Sequence, residues 1–384
     1  MKITGDWLTS ASSQAVMQML QDAEHAAYFV GGCVRNALLQ HPVSDIDIST
    51  DAVPEEVVQI AEGAGHRAIP TGIDHGTITV VVNEIAHEIT TFRKDVATDG
   101  RRATVAFSKD ITDDALRRDF TMNALYADAE GTVIDPLGGL EDLHARRVRF
   151  IEDPAIRIRE DYLRILRFFR FHAWFGDPAD GLDADGLAAC AELTDGMSRL
   201  SKERIGAEMT KLLAAPDPAP SVAAMRTAGV LARVLPGADD RFLAPLVHFE
   251  AHSEGDVPPA YQRRLAVLGG KDVADNLRLS KTDARHLDLL REEMGKMTPA
   301  KELGYRHGAA LGLDVFLLRA TMSNMPPSDK DLQDLAAGAN AVFPVKAADL
   351  MPDYEGPALG QKLTDLETTW IASGFALTAR ELLG

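Results

Sequence analysis

Short apolar runs in the first third of the chain predict β-strands. Residues 27–30 (AYFV) form such a run and end at a pair of glycines, and residues 45–50 (DIDIST) alternate strictly between polar and apolar positions. A period of two places alternate side chains on one face of a strand. Residues 77–82 and 85–92 are expected to pair as a hairpin around Asn83 and Glu84.

Helical spacing separates these strands. Residues 34–39 follow the glycine pair at helical intervals, and Pro54 is expected to begin a helix that runs to about residue 61. Because strands alternate with helices, we expect a mixed α/β domain over about residues 25–135.

Beyond residue 146 the apolar positions recur almost exclusively at helical intervals. Ile158, Tyr162, Ile165 and Phe169 are spaced by four, three and four residues, which predicts one long amphipathic helix. Proline-rich breaks at 216–220 and at Pro258-Pro259 are candidate domain boundaries. The fold class is therefore α+β, a mixed-sheet domain followed by helices, which we expect at 205–213, 222–235, 261–268, 283–290 and 309–322.

Composition limits the setting and the partners of the protein. The 384 residues carry a net charge of −18, which excludes a non-specific coat on nucleic acid and requires local basic clusters for any polyanion. Two cysteines, Cys33 and Cys190, exclude a disulfide framework. Asp6 interrupts any secretion signal, and no window approaches 18 apolar residues, so we expect a cytoplasmic protein with no membrane partner.

Paired carboxylates are the first candidate chemistry. Asp45 and Asp47 are one residue apart on a predicted strand, so both side chains leave the same face, and two such charges repel unless a cation lies between them. Hard oxygen ligands suit Mg²⁺, which we expect as the cofactor. Glu88 becomes a third carboxylate if its strand neighbours this one. An ordinary surface strand explains each feature equally well when it is taken alone.

The glycine pair is the second candidate. Gly31 and Gly32 lie between a strand and a helix, and Arg35 follows one turn later. Glycines let backbone N–H groups approach a phosphate, and a guanidinium adds two charged donors. A turn that only connects the strand to the helix is the alternative.

The segment GGCVRNALLQHPVSDIDIST resembles the signature of nucleotidyltransferases of the DNA polymerase β type. Within that superfamily the chain is similar to class II (bacterial-type) tRNA nucleotidyltransferases, or CCA-adding enzymes, and to the related bacterial poly(A) polymerases, over about residues 25–213. Asn36 departs from the family, which usually has Asp there.

The segment LRRDFTMNAL adds phosphate-seeking arginines beside a carboxylate that can only accept hydrogen bonds. The resemblance implies that Asp119 selects ribonucleotides and that Arg118 and Asn123 help to hold the nucleotide. A surface ion pair on a helix is the alternative.

The segment EDYLRILRFFRF places Asp161 and Arg164 three residues apart, which predicts one helix face shared with Arg157, Phe168 and Phe171. A carboxylate accepts from the exocyclic amine of cytosine or adenine, whereas uracil and guanine present a carbonyl. The resemblance implies that this helix reads the incoming base, and it assigns Arg167 to nucleotide binding as well. An ordinary i, i+3 ion pair is the alternative.

Three further segments complete the pattern. Residues 95–102 have few apolar anchors, which predicts a mobile loop, and the resemblance makes it the flexible loop of enzymes that complete CCA. The segment LSKERIGAEMTKLL has Ser201 as an expected helix N-cap and resembles the motif that braces the base-reading helix. Residues 256–306 carry ten Lys and Arg against eight Asp and Glu, and they offer as RNA-backbone contacts Arg263, Arg264, Arg278, Lys281 and Arg285.

The resemblance implies a nucleotidyltransferase head over 1–140, a helical neck over 141–213, and a helical body and tail over 214–384 that binds tRNA. The expected reaction is template-independent addition of C, C and A from CTP and ATP to the tRNA 3′ end by a two-metal mechanism, without DNA, the oligomeric state being open. A poly(A) polymerase and a catalytically inert RNA-binding protein are the alternatives. The expected catalytic residues are Asp45, Asp47 and Glu88, the first two being metal ligands.

Overall fold

A computed structural model describes residues 1–99, 102–253 and 257–384 of the chain. The chain forms two compact units, one comprising residues 1–236 with 276–278 and the other residues 237–275 with 279–384. The mixed sheet and the helices that follow it to residue 236 share the first unit. The finer division at residues 140 and 213 stays a prediction.

A mixed seven-stranded sheet is the framework of the first unit. Its strand order is β3-β4-β5-β2-β1-β8-β9, with β2 parallel to β5 and the other neighbours antiparallel. The turn at Asn83 and Glu84 has positive φ at both residues, as a tight hairpin requires. The strands are β1 Ala27–Val30, β2 Asp47–Thr50, β3 Arg67–Gly72, β4 Thr77–Val82, β5 Ile85–Thr91, β8 Tyr126–Ala127 and β9 Val133–Ile134.

The acidic strand starts later than predicted. β2 begins at Asp47, so Asp45 and Ile46 belong to the loop before it rather than to the strand. Ile48 is fully buried, whereas Ile46 is half-buried, because only the former has sheet partners on both sides. The two carboxylates therefore lie on different kinds of backbone.

The segment predicted as a mobile loop forms most of a separate two-stranded hairpin. Its strands are β6 Arg93–Asp99 and β7 Arg102–Phe107, and residues 100 and 101 lie outside the described residues. The prediction of irregular backbone over 95–102 was wrong, because Val96 and Thr98 are β-branched and favour extended backbone. The mobility of the segment stays a prediction.

Two helices replace the single long helix predicted around residue 162. α7 ends at Glu160 and α8 begins at Leu163, since Asp161 has an extended backbone with φ −150° and ψ 107°. The Asp161 carboxylate accepts from the Leu163 N–H at 3.1 Å and so satisfies a donor at the start of α8. Apolar periodicity continues across the break, which is why the sequence pattern did not show it.

Short helices complete the first unit. Gly229, at φ 75°, divides the predicted helix over 222–235 into two. Ser201 caps its helix as predicted, accepting from the Arg204 N–H at 3.4 Å. The helices are α1 Asp6–Thr9, α2 Ala11–Asp22, α3 Gly32–Leu38, α4 Pro54–Gly63, α5 Ile111–Leu116, α6 Gly139–His144, α7 Pro154–Glu160, α8 Leu163–Phe175, α9 Ala184–Glu192, α10 Lys202–Leu213, α11 Ala219–Thr227 and α12 Val230–Val234.

The second unit is helical throughout its described residues. Gly304 and Gly338 let two of its helices approach closely, since a Cβ on Gly338 would lie 1.9 Å from the Lys301 carbonyl oxygen. Gly308, at φ 82°, kinks the longest helix. The helices are α13 Leu243–His252, α14 Tyr261–Leu268, α15 Val273–Asn276, α16 Lys281–Met294, α17 Ala300–Ser323, α18 Asp329–Ala339, α19 Gly356–Ala372 and α20 Ala379–Leu383.

Two of the predicted RNA contacts are buried instead. Arg263 and Arg264 are 2% and 1% exposed, and both donate to Glu250. Arg263 also forms an ion pair with Asp314. A buried arginine needs such partners, so these two side chains serve the core of the unit and the prediction for them was wrong. Lys281 and Arg285 are exposed, and their contact with RNA stays a prediction.

The described helices include none with the combination of length and apolarity needed to cross a bilayer.

His87 predicts a pH dependence of stability. Its side chain is fully buried on β5, and neither ring nitrogen has a hydrogen-bond partner among the described residues. Burial lowers the pKa of His87, so the folded chain binds fewer protons than the unfolded chain once the pH falls below about 6.5. The contribution of neutral His87 to stability is thus fully present above that pH and is lost progressively below it. Urea unfolding should give a shallower loss between pH 7.5 and 5.5 for His87→Leu than for the parent. Equal slopes would contradict this.

Candidate active site

A cleft of about 670 Å³ in the first unit collects most of the predicted site residues. Its lining holds seven arginines and one lysine against four aspartates, which reverses the acidity of the whole chain. Such a local excess of positive charge attracts polyanions. The lining residues are Gly31, Gly32, Arg35, Asp45, Asp47, Arg117, Arg118, Asp119, Asn123, Asp161, Leu163, Arg164, Arg167, Arg170, Phe171, Arg204 and Lys211.

The glycine turn forms one wall of the cleft. Gly31 has φ 70°, a conformation that glycine adopts without strain, and its N–H donates to the Leu125 carbonyl at 3.0 Å. A Cβ at this position would lie 3.3 Å from Nη1 of Arg118. Glycine therefore keeps the space in front of that guanidinium open.

Arg35 is a buried cation that has only neutral partners. It is 8% exposed, and its guanidinium donates to Asn123 Oδ1 at 2.5 Å and to Asn36 Oδ1 at 2.9 and 3.1 Å. No carboxylate among the described residues lies within ion-pair distance of it. Burial, with the charges of Arg170 and Arg167, lowers the pKa of Arg35 to about 10, although the charge of Asp119 opposes this shift. An anion in the cleft would meet a positive charge that no ion pair with a described carboxylate neutralises.

Asn36, the departure from the family pattern, has a defined place. Its Oδ1 accepts from Arg35, and its Nδ2 donates to the Pro42 carbonyl at 2.9 Å, in the loop that leads to Asp45. An aspartate could accept in the same way but has no donor for that carbonyl.

The carboxylates meet at the other side of the cleft. Asp47 lies in register with Glu88 of the parallel neighbour β5, and Asp45 is exposed in the preceding loop. Burial and the charges of Glu88 and Asp45 raise the pKa of Asp47. Repulsion of this kind is relieved by a bound cation, and carboxylate oxygens are suitable ligands, so Asp45 and Asp47 fit a divalent metal ion.

Glu88 is less well placed than the aspartate pair. It is exposed and is absent from the cleft lining, although its strand is the neighbour that the sequence reasoning required. The described residues contain no group of three or more His, Cys, Asp or Glu side chains in a metal-binding arrangement. Its role as a catalytic residue stays a prediction.

Asp119 is surrounded by donors. Its Oδ1 accepts from the Phe120 N–H at 2.9 Å and from Asn123 Nδ2 at 2.8 Å, and its Oδ2 accepts from Nε and Nη2 of Arg167 at 2.7 and 2.5 Å. Arg167 and Asn123 lower the pKa of Asp119 to about 2 despite its burial. Four donors fill the acceptor capacity of a carboxylate, so Asp119 fixes Arg167 and Asn123 in this structure.

Arg118 is fixed in the same manner by buried groups. It donates to Asp114 Oδ2 at 2.9 Å and to the Tyr126 hydroxyl at 3.2 Å. Arg118 and Arg117 together lower the pKa of Asp114, which is fully buried, to about 2. Because Asp114 pairs with both arginines, it aligns the two guanidiniums along the cleft.

The predicted base-reading pair does not share a helix. Asp161 lies at the break before α8 and accepts from Arg204 at 2.6 Å, while Arg164 pairs with Glu160 at 2.5 Å. Arg164 also donates to the Arg117 carbonyl at 3.0 Å. Both side chains line the cleft, so the structure brings them together there but from separate elements.

The predicted helix face was wrong in two members. Phe168 is fully buried in an aromatic cluster with Phe120, Phe150 and Phe169. Arg157 is 6% exposed and donates to the Leu116 carbonyl and to Glu160, so it is absent from the cleft lining. The break at Asp161 separates Arg157 from the helix that carries Arg164, whereas Phe168 lies on that helix and packs into the core.

Two charged residues of the cleft received no role from the sequence, namely Arg170 and Lys211. Both lie inside the quoted motifs. The available signal was the repetition of arginine along α8, where Arg164, Arg167 and Arg170 follow one another at steps of three. Such steps keep side chains on neighbouring parts of one helix face.

Two family models match the chain in order. The model described as "Poly A polymerase head domain" matches residues 27–149. The model described as "Probable RNA and SrmB- binding site of polymerase A" matches residues 182–242. The first match contains the glycine turn, the acidic pair and Asp119.

Relatives of known name match about half of the chain. The CCA-adding enzyme of Streptococcus gordonii is 42% identical over 218 residues, which is 56% of this chain and 53% of that enzyme. The human CCA tRNA nucleotidyltransferase 1, mitochondrial, is 41% identical over 201 residues, which is 52% of this chain and 46% of that protein. This chain thus spans about half the length of the curated relatives it matches.

A solved structure extends the likeness. The CCA-adding enzyme of Bacillus stearothermophilus in complex with CTP matches with a TM-score of 0.78 at 26% identity, covering 94% of this chain and 93% of that one. Sequence motifs, family models and fold agree in what this chain is similar to, namely class II tRNA nucleotidyltransferases and bacterial poly(A) polymerases.

Proposed function

We propose that this protein adds C, C and A from CTP and ATP to the 3′ end of tRNA and releases pyrophosphate. The observation that carries the proposal is the cleft itself, which joins the Asp45 and Asp47 carboxylates, the guanidinium of Arg35 and the side chains of Asp161 and Arg164. Acids for a metal, a cation for phosphates and a donor–acceptor pair for a base are the parts that nucleotidyl transfer requires. The names of the relatives support CCA addition.

Asp45 and Asp47 would hold the metal, for which we propose Mg²⁺ in a two-metal arrangement. When bound, Mg²⁺ supplies charge that eases deprotonation of the RNA 3′ hydroxyl and stabilises the leaving pyrophosphate. Asp47 serves this purpose because burial and its acidic neighbours already favour a cation beside it. Glu88 is proposed to add negative charge from the neighbouring strand.

Different residues are proposed to bind the phosphates and the ribose of the nucleotide. Gly31, Gly32 and Arg35 are proposed to receive the phosphates, with Arg118 across the glycine turn. Asp119 selects the ribose by holding Arg167 and Asn123 in place, since its own acceptor positions are filled. Any substrate hydroxyl that bonds Asp119 must displace one of those donors.

The base is read by Asp161 and Arg164. The carboxylate accepts from the exocyclic amine that cytosine and adenine share, and the guanidinium donates to a ring acceptor. In this structure Asp161 is held by Arg204 and Arg164 by Glu160, so each is oriented before a base arrives. Pre-oriented groups lose less entropy on binding.

Replacing Arg164 tests the base reader. Arg164→Ala should raise incorporation of UTP and GTP relative to CTP and ATP by roughly 10- to 100-fold, because a bidentate contact discriminates by about 1–3 kcal/mol. Single-nucleotide incorporation with each NTP measures this ratio. Arg159→Ala is the matched control, since Arg159 lies on α7 at 52% side-chain exposure and is absent from the cleft lining. Unchanged exclusion of UTP and GTP in Arg164→Ala would contradict the assignment.

The partner is proposed to be the 3′ end of tRNA, held in part by the helices that follow the head. The match to an RNA-binding family model over 182–242 supports a site there. We also propose a cytoplasmic location, which suits two buried cysteines that are both free thiols.

Product sizing tests the proposed function. A tRNA that lacks its terminal CCA is supplied with each labelled NTP alone and with CTP and ATP together. A ladder that ends after C, C and A supports the proposal. A long A tail would instead identify a poly(A) polymerase, and no product with active controls would indicate an RNA-binding protein without catalysis.

A further inference from the structure

Phe171 lies at the centre of three guanidinium groups. The Arg170, Arg35 and Arg167 guanidinium carbons lie 4.5, 5.2 and 5.3 Å from its ring centroid. The ring itself is 4% exposed and lines the cleft. Guanidiniums at such distances are attracted by the π-face of an aromatic ring.

The ring is held in place by other aromatic side chains. Its centroid lies 5.0 Å from Phe120 and 5.5 Å from Phe175, and the latter contacts Arg35 at 4.1 Å. Phe120 is fully buried in the core of the first unit. Phe171 is thus a rigid platform between the core and the cleft.

The three cations differ in how the chain compensates them. Arg167 pairs with Asp119, and Arg170 donates to Glu208 at 2.5 Å, whereas Arg35 has only the neutral partners described above. The charge of Asp119 favours the charged form of Arg35, and those of Arg170 and Arg167 disfavour it. Two carboxylates, Asp119 and Glu208, thus face three guanidiniums around one ring, and a ligand with several negative charges would relieve the remaining repulsion.

We infer that Phe171 is a positioning residue that gathers Arg35, Arg167 and Arg170 into one site for the phosphate chain of the incoming nucleotide. The inference rests on the proposed function and makes it more specific, since it assigns the phosphate chain rather than the base to this end of the cleft. Loss of the ring would remove the one cation–π partner that the three guanidiniums are seen to share among the described residues.

Binding to the purified full chain tests the inference without requiring catalysis. Isothermal titration with tripolyphosphate, CTP and cytidine compares the parent with Phe171→Leu. We expect Phe171→Leu to weaken the binding of tripolyphosphate and of CTP about 10-fold, because guanidiniums released from the ring must be ordered when the phosphates bind, and to leave the binding of cytidine unchanged. Phe171→Tyr keeps the ring face and should restore phosphate affinity to within about three-fold.

Phe168→Leu is the matched control for aromatic loss from the same helix. Phe168 is fully buried, and its ring contacts are with other phenylalanines. Phe168→Leu should lower the urea midpoint of the protein and leave its affinity for tripolyphosphate equal to that of the parent. The inference would be overturned if Phe171→Leu bound tripolyphosphate as tightly as the parent does. It would also be overturned if the affinity for cytidine fell by the same factor as the affinity for tripolyphosphate.

A double-mutant cycle covers the case in which Phe171→Leu unfolds. Arg170→Met alone should weaken the binding of tripolyphosphate. Adding Phe171→Tyr to Arg170→Met should weaken that binding no further. Loss in that combination well beyond the two single effects would overturn the inference. Failure of the proposed function is a separate result, since it would appear as a parent protein that binds tripolyphosphate yet extends no RNA.

Discussion

Asp47→Asn should reduce nucleotide incorporation by at least about a thousand-fold and leave the chain folded. The amide keeps the shape of the side chain but loses the charge that would hold a divalent ion. Stability should be unchanged or slightly raised, because burial and the charges of Glu88 and Asp45 disfavour the Asp47 carboxylate. The rate is measured by single-turnover incorporation of CMP, and stability by urea unfolding.

Asp51→Ala provides the opposite phenotype from nearly the same place. Asp51 follows β2, accepts from the Ala26 N–H at 2.9 Å and pairs with His25 at 3.1 Å. Its loss should cost about 1 kcal/mol of stability and leave the single-turnover rate unchanged. Near-normal incorporation by a folded Asp47→Asn protein would remove the metal assignment from this acidic pair.

Arg35→Met should raise the KM for CTP and for ATP by the same factor, about a hundred-fold. Both nucleotides carry the same phosphates, and Arg35 is the guanidinium of the cleft that forms no ion pair with a described carboxylate. Folding should suffer little, since methionine fills a comparable volume against Phe175 and removes a buried charge. Steady-state kinetics with each nucleotide measures the two factors.

Arg149→Met is the control for Arg35→Met, because it also removes one guanidinium but does so outside the cleft. Arg149 is 48% exposed, pairs with Asp142 and is absent from the cleft lining. Its removal should leave both KM values within about two-fold of the parent. A rise for one nucleotide and not the other in Arg35→Met would place Arg35 at the base and contradict the phosphate assignment.

Local patterns predicted most of the sheet. The run at 27–30 and the hairpin around Asn83 and Glu84 are found as expected, because alternation and turn residues are local signals. The pairing of β2 with β5 brings Asp47 opposite Glu88, and this depends on the order of strands in the sheet, which no local pattern records.

Many of the residues that line the cleft were predicted from the sequence, but their contacts with one another were not. Asp119 and Arg167 were expected to bind a nucleotide, yet the sequence could not show that they bind each other. The break at Asp161 was hidden because apolar periodicity runs through it. Burial of Arg263 and Arg264 was missed for a related reason, since charge counts along a chain do not reveal which carboxylates fold beside which arginines.

The extended residue between α7 and α8 has a consequence for how nucleotide choice can change over generations. Asp161 lies in the linker and accepts from Arg204, whereas Arg164 lies in the first turn of α8 and pairs with Glu160. If the two side chains read the base as proposed, a substitution of Arg204 would act on Asp161 alone and a substitution of Glu160 on Arg164 alone. Selectivity would then change in two small steps, each acting on a single hydrogen-bonding partner of the base.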